Sequence, residues 1–500
     1  MREVGTVIST KDTPSSTLFH FVVKEVDSEI PVHKTQFVQV KTREGILIAR
    51  VADIVKANRY FMNPEAVKEY EISGGMEFSF PVDRWEFLVA EAVPLGVYVD
   101  GREKRVTFPP SPGDKVEVAD KQILSEFLGF DKNGLKIGII PFHQVDVKLN
   151  LTKLFQKHCS ILASTGFGKS YLMSVIIEEI LDRKDELGKP AVVVVDPHGE
   201  YVGFAEDENY VNSTRVFSKG TITIGTPNLS ASTICEFMPF ITSVQRREMT
   251  KTISQLRKDK PDFSLKDLIT AVELSDIKPV TKGPLVSWLS ELDGTGIFGK
   301  VDNPSIEELA KMGQLSILDL SDFINLQTKQ IIVTYFARKL FEARRIGSIP
   351  PFIFVVEEAH QFAPEIAPKE ASISKGIIET IAREGRKFNA SLVLISQRPI
   401  KLSTTALSQC NSNFFLRIIN PYDIDHITKS CEGITSDIRK MLPGLKVGEA
   451  IVTGEVVNYP IIVNVRERKS KKSEKGKKLE EVLKELVDKK KKIKEDLDAF

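Results

Sequence analysis

Two glycines, a lysine and a serine fall in close order at Ala163-Ser164-Thr165-Gly166-Phe167-Gly168-Lys169-Ser170. This spacing suits a phosphate-binding turn. Gly166 and Gly168 let backbone N–H groups close round phosphate oxygens, Lys169 reaches the β- and γ-phosphates, and the Ser170 hydroxyl can bind Mg2+. Ser160-Ile161-Leu162 ahead of the turn reads as a strand, and Tyr171-Leu172-Met173-Ser174-Val175-Ile176-Ile177 after it as a helix presenting its positive end to the phosphates. Residues 164–171 are therefore the candidate contacts for ATP. The first position of the turn, usually Gly, is Ala163.

A P-loop is common to kinases, GTPases and motor ATPases, so a second acidic site must separate them. Phe352-Ile353-Phe354-Val355-Val356-Glu357-Glu358-Ala359-His360 is an apolar run ending in two acids. Glu357 is the candidate for holding hydrated Mg2+, and Glu358 for polarising the water that attacks the γ-phosphate. Two more apolar runs end in polar groups. Ser391–Ile395 leads to Ser396-Gln397-Arg398-Pro399, where Gln397 can sense the γ-phosphate or position water. Ala191–Val195 leads to Asp196-Pro197-His198-Gly199-Glu200-Tyr201, which puts Asp196, His198 and Glu200 beside the nucleotide. His198 has no partner His or Cys nearby in sequence, so local hydrogen bonding is expected of it rather than metal ligation. Arg383-Glu384-Gly385-Arg386-Lys387 reads either as a solvated helix end or, beside a P-loop ATPase core, as a source of a guanidinium (Arg383 or Arg386) aimed at a neighbour's γ-phosphate.

The elements that must position these groups follow from hydropathy. Before about residue 120 the chain reads as short strands. Gln36–Lys41 and Ile46–Val51 flank a Gly-containing turn, and Trp85–Val89 is another strand candidate, which together suggest a small barrel or sandwich. From about residue 135, apolar runs at Ser160–Leu162, Ala191–Val195, Ser316–Leu320, Phe352–Val356, Ser391–Ile395 and Phe414–Ile419 alternate with helical stretches. Near-continuous apolar strands indicate a parallel α/β sheet covered on both faces. Met249–Leu256 and Leu265–Leu274 have helical periodicity in a region without comparable strands.

The expected layout is a β-barrel over 1–120, a first part of the parallel α/β core over 121–235, a helical insertion over 236–312, the rest of the core over 313–465, and a basic C-terminal tail over 466–500. That last stretch has a net charge of +5, with Leu479, Val482, Leu483, Leu486, Val487 and Ile493 at helical spacing, so it reads either as an amphipathic helix that docks, on a neighbouring subunit for example, or as a solvated terminus.

Composition restricts the alternatives. The 500 residues carry 69 Lys plus Arg against 68 Asp plus Glu, a net charge of +1 that excludes a generally basic nucleic-acid coat protein. No apolar run is long enough for a membrane span, the start lacks a signal-peptide stretch, and the four cysteines have no zinc-like spacing. A soluble intracellular protein with reduced thiols is expected.

The five marks quoted above resemble the HerA/FtsK group of RecA-like motor ATPases, specifically archaeal HerA, over about residues 140–465. The resemblance implies a homo-hexameric ring that hydrolyses ATP between subunits and translocates along double-stranded DNA in its pore. It also implies a NurA-type nuclease docked on the N-terminal barrel and work beside Mre11 and Rad50 in resecting DNA ends. Lys169, Glu358, Gln397, Arg383 and Arg386 are then the candidate catalytic set, with Ser170 and Glu357 on the metal. Lys369 and Lys375 are candidates for backbone contacts in the pore. The alternatives are a conjugation or secretion motor using the same core, and a nucleotide-gated scaffold that recruits a nuclease without moving.

Overall fold

The computed structural model describes residues 2–24, 32–58, 61, 64–72, 86–368 and 372–473, and five helical positions further on (480, 483, 484, 486 and 487). Trp85, Lys369 and most of the expected amphipathic tail, including Leu479, Val482 and Ile493, lie outside the described residues. The chain divides into two compact units, residues 1–150 with 451–465, and residues 151–450 with 466–500.

In the first unit six antiparallel strands close a barrel. Their order is Phe19–Val23, Glu3–Ile8, Lys115–Val118, Phe37–Thr42, Gly45–Asn58 and Glu86–Val99, and the last pairs back with the first. Alternation in the sequence becomes alternation of burial. Val38, Val40, Leu47, Ala49, Val51, Ala90 and Ala92 point inward with Phe19, Phe21 and Val116 to fill the lumen. The two 14-residue strands, Gly45–Asn58 and Glu86–Val99, carry bulges at Ile48/Ala49 and Val51/Asp53. Bulges bend and twist a strand, which is what closure of so small a sheet needs. Buried His143 accepts the Phe37 N–H through Nε2 (2.9 Å) and so must carry its proton on Nδ1. The strands Ile461–Val465, Leu135–Ile140 and Val145–Leu149 form an antiparallel group in the same unit.

The second unit is built on a parallel sheet in the order Thr214–Phe217, Leu315–Asp319, Ala191–Asp196, Phe352–Val356, Ala390–Ser396, Cys159–Leu162, Ser412–Phe415. Every residue of the five middle strands is buried, as their unbroken apolar runs require. The P-loop strand Cys159–Leu162 lies between Ala390–Ser396 and Ser412–Phe415, so one strand separates it from the acid-bearing strand Phe352–Val356. Buried His158, just ahead of it, accepts the Leu392 N–H through Nδ1 (3.0 Å).

The stretch 231–294 is helical, with Ala231–Glu236, Ser243–Asp259, Leu265–Leu274 and Pro279–Gly294. Capping boxes at Thr242/Gln245 and Ser264/Asp267 start its second and third helices. The strand expected over Phe414–Ile419 is instead Ser412–Phe415. Leu416 and Ile418 stay buried, but the Arg417 carbonyl takes the Ser164 N–H (2.9 Å) and the Ile418 N–H goes to Leu442 (3.4 Å), which ends the ladder. No helix among the described residues is long and apolar enough to cross a membrane. All four cysteines are buried and unpaired.

Candidate functional site

The P-loop residues take the backbone their sequence suggested. Gly166 (φ 81°) and Gly168 (φ 90°) are left-handed, a conformation costly for residues with a Cβ. A side chain at Gly166 would touch nothing, so the backbone, not crowding, demands glycine there. Ala163 is fully buried and is not left-handed, so the missing first glycine leaves no strain.

Gly168 is the N-cap of the helix Lys169–Leu181 and supplies no side chain to its first N–H groups. Those donors and the helix dipole are thus available to an anion. Lys169 is buried, its ammonium 3.5 Å from the Ser164 carbonyl.

The acid strand delivers its two carboxylates to the same edge of the sheet, in different surroundings. Glu357 is 2% exposed and has both oxygens engaged: Oε1 accepts from Ser170 Oγ (3.1 Å) and Oε2 from the Tyr201 hydroxyl (2.9 Å). Burial pushes its carboxyl above the usual range, and Glu200 reinforces this. Glu358 is 6% exposed and left-handed (φ 50°, ψ 44°), an unusual backbone for a non-glycine residue. Its Oε2 makes no hydrogen bond, although His360 Nδ1 lies 3.2 Å away. Burial holds His360 down to about 4, with Arg398, Lys401 and Lys169 adding to the effect, so the imidazole is neutral and this proximity is no ion pair. His360 Nδ1 is also 3.1 Å from Ser396 Oγ. Burial raises the Glu358 carboxyl and Lys169 opposes the rise.

Gln397 joins the group as expected. Its Oε1 accepts from the Thr165 hydroxyl of the P-loop, and its amide lies beside Glu358. Asp196 is fully buried, but its carboxylate faces its own chain. Oδ1 accepts from His198 (3.2 Å), Gly199 (2.7 Å) and Glu200 (3.1 Å) N–H, and Oδ2 from Tyr201 N–H (2.9 Å). Burial raises this carboxyl to about 6 against the pull of those N–H groups. Asp196 thus shapes a turn, from which exposed His198 and Glu200 lie near enough to act electrostatically on Glu358.

Arg383 and Arg386 are not brought to this site within the chain. Both are exposed and precede the strand Ala390–Ser396, at the edge opposite Gln397. Arg383 lies 3.8 Å from Glu379. Lys375 donates to the Glu365 carbonyl (2.9 Å).

Sequence reasoning overlooked Tyr201 and Arg417. Arg417 stacks over the Phe167 ring (5.2 Å), and its Nε is buried without a hydrogen-bond partner. Only the position of Arg417 just after the apolar run Phe414–Leu416 marks it in the sequence.

The donor set fits a nucleoside triphosphate with a divalent cation: an uncapped helix start, a lysine, a hydroxyl beside a carboxylate, and a second acid with an oxygen lacking a hydrogen bond. P-loop cations are held by few protein oxygens because phosphates and water supply the rest.

The family described as "Helicase HerA, central domain" matches residues 135–340. A Methanocaldococcus jannaschii protein named "Probable helicase MJ1565" is 30% identical over 394 residues, 73% of each chain. A Pyrococcus furiosus protein named "DNA double-strand break repair helicase HerA" is 27% identical over 496 residues, covering 86% of this chain and 87% of that one. Among solved structures, VirB4 of Thermoanaerobacter pseudethanolicus aligns with a TM-score of 0.54 at 16% identity, over 67% of this chain and 97% of that one, a likeness of fold.

Proposed function

The chain belongs to the HerA family of ATP-hydrolysing helicases, and from that premise we propose that it is an ATP-driven translocase on double-stranded DNA. In this reading it works as a homo-hexameric ring, DNA-associated in the cytoplasm, and feeds DNA ends to a NurA-type nuclease docked on the barrel during double-strand-break repair, alongside Mre11 and Rad50. The name of the Pyrococcus relative supports the repair role. The observation that carries the reading is Glu358, a buried acid with an oxygen free of hydrogen bonds, between the P-loop lysine and Gln397.

In this mechanism the N–H groups of residues 166–170 and the Lys169 ammonium bind the triphosphate and stabilise charge that grows during transfer. Ser170 and Glu357 would hold Mg2+, which neutralises charge on the phosphate oxygens. Glu358 orients water and accepts its proton, while Gln397, tied to Thr165, aligns water and γ-phosphate. Arg383 or Arg386, remote from its own chain's site, acts on the neighbour's γ-phosphate across a subunit boundary. Lys375 and Lys369 are proposed to track the DNA backbone, where affinity comes from released counterions.

ATP turnover by the purified full chain, with and without linear duplex DNA over a range of salt, tests the proposal. Stimulation by duplex that fades with salt is expected. Equal turnover with and without DNA would favour a scaffold over a translocase.

A further inference from the structure

Tyr201 has no part in the chemistry described so far, yet its place is closely determined. Its side chain is fully buried, and its hydroxyl donates to Glu357 Oε2 at 2.9 Å. Three anchors hold the turn that carries it. Asp196 binds the Tyr201 N–H and three preceding ones, which shapes the turn carrying the ring. Two residues on, Gly203 lies so close to the segment 471–473 that a Cβ there would stand 2.4 Å from the Lys471 carbonyl oxygen. Next to it, the Arg468 guanidinium covers the Phe204 ring at 5.1 Å.

Core filling alone would be served by phenylalanine, which has the same ring without a hydroxyl that needs a partner. The hydroxyl instead points at a buried carboxylate and engages one of its two oxygens. The other oxygen is left facing Ser170 Oγ, 3.1 Å away.

We propose that Tyr201 is a positioning residue that fixes the orientation of Glu357, so that this carboxylate presents Oε1, beside the Ser170 hydroxyl, to the Mg2+ of a bound nucleoside triphosphate. This rests on the nucleotide and metal reading of the same site. Removing a hydrogen-bond partner of a metal-ligating group typically costs about 10- to 100-fold in metal affinity.

The test measures binding, without turnover. A fluorescent non-hydrolysable ATP analogue is titrated into the full chain in EDTA and then with increasing Mg2+, for wild type, Tyr201→Phe, Glu357→Gln and the double variant, and melting temperatures are recorded in parallel. Tyr201→Phe is expected to raise the Mg2+ concentration for half-maximal enhancement about 10-fold, to leave affinity in EDTA unchanged, and to add no further shift in the Glu357→Gln background. An unchanged Mg2+ midpoint with only a lower melting temperature would overturn the inference and leave Tyr201 a packing residue. Wild-type binding indifferent to Mg2+ would instead overturn the metal reading beneath it. Should Tyr201→Phe fold poorly, the same titrations of wild type and Tyr201→Phe run well below both melting temperatures still decide: an unchanged Mg2+ midpoint there contradicts the inference.

Discussion

Two buried glutamates near opposite ends of the helix that follows the P-loop, Glu178 and Glu358, have opposite environments. Glu178, near its C-terminal end, is fully buried and fully partnered. Its Oε1 accepts from the N–H groups of Lys469 (2.9 Å) and Ser470 (2.8 Å) and from the Ser470 hydroxyl (2.7 Å), and its Oε2 from Arg466 (2.8 Å). Arg466 also reaches Glu179 (2.8 Å). At the other end, Glu358 is nearly as buried, yet its Oε2 has no hydrogen bond. Burial alone therefore does not distinguish scaffold from chemistry. A buried charge that the chain itself neutralises holds structure together, whereas one left short of partners, on a strained backbone, awaits something the chain does not contain.

Substitution should separate the two environments. The largest effect is expected at the nucleotide end. Lys169→Ala should abolish hydrolysis, and Glu358→Gln should slow it by about 100-fold or more while nucleotide still binds. Neither should lower the melting temperature, as steady-state turnover and thermal unfolding will show. At the other end, Arg466→Ala leaves Glu178 buried without its ion pair. A loss of about 3–5 kcal/mol is expected, read as a lower denaturation midpoint, because removing one partner of a buried pair exposes its full desolvation cost. Should Arg466→Ala slow turnover of the folded chain as much as Glu358→Gln does, the contrast between scaffold and site would fail.

A smaller effect is expected at each of the two buried histidines, one in each unit. Burial holds both His143 and His158 down to about 4. Between roughly pH 6.5 and 4 the unfolded chain then binds more protons than the folded one, so stability is full above about pH 6.5 and is lost as pH falls toward 4. Each histidine contributes about 3 kcal/mol to that loss, at about 1.4 kcal/mol per pKa unit. His158→Gln keeps an acceptor for the Leu392 N–H and cannot titrate. Its denaturation midpoint should fall less steeply with acid than that of the wild type, and an unchanged slope would remove His158 from the account.

The smallest effect is expected where packing alone is disturbed. Gly203→Ala pushes a methyl against the Lys471 carbonyl, and strain of this kind costs about 1–3 kcal/mol. Loosening of the segment 466–473 should appear as faster amide exchange at Lys469 and Ser470. Unaltered exchange there would mean that the turn and the segment do not support each other.

Which parts of this were legible in the sequence follows from the physics. Strands such as Ala191–Asp196 and Phe352–Val356 are buried on both faces and so read as unbroken apolar runs, and their polar ends mark the edge where the site lies. Hence Lys169, Glu358 and Gln397 could be grouped before any geometry was seen. Tyr201 was less visible because its role depends on an acid 156 residues away, and hydropathy carries no such pairing. Glu178 was hidden for the opposite reason. In sequence it is one of two adjacent acids, and the segment that covers it, Arg466–Ser470, reads as solvated charge. The end of the strand Ser412–Phe415 was missed because burial continues past the point where the backbone changes partners.

The central claim is that Glu358 awaits a water and a phosphate, not a partner in the chain. It is tested most directly by comparing Glu358→Gln and Glu178→Gln in one assay of ATP binding and single-turnover hydrolysis on linear duplex DNA. The account predicts that Glu358→Gln binds ATP as the wild type does and holds it unhydrolysed, while folded Glu178→Gln turns it over at near the wild-type rate. Hydrolysis by Glu358→Gln at the wild-type rate would contradict it.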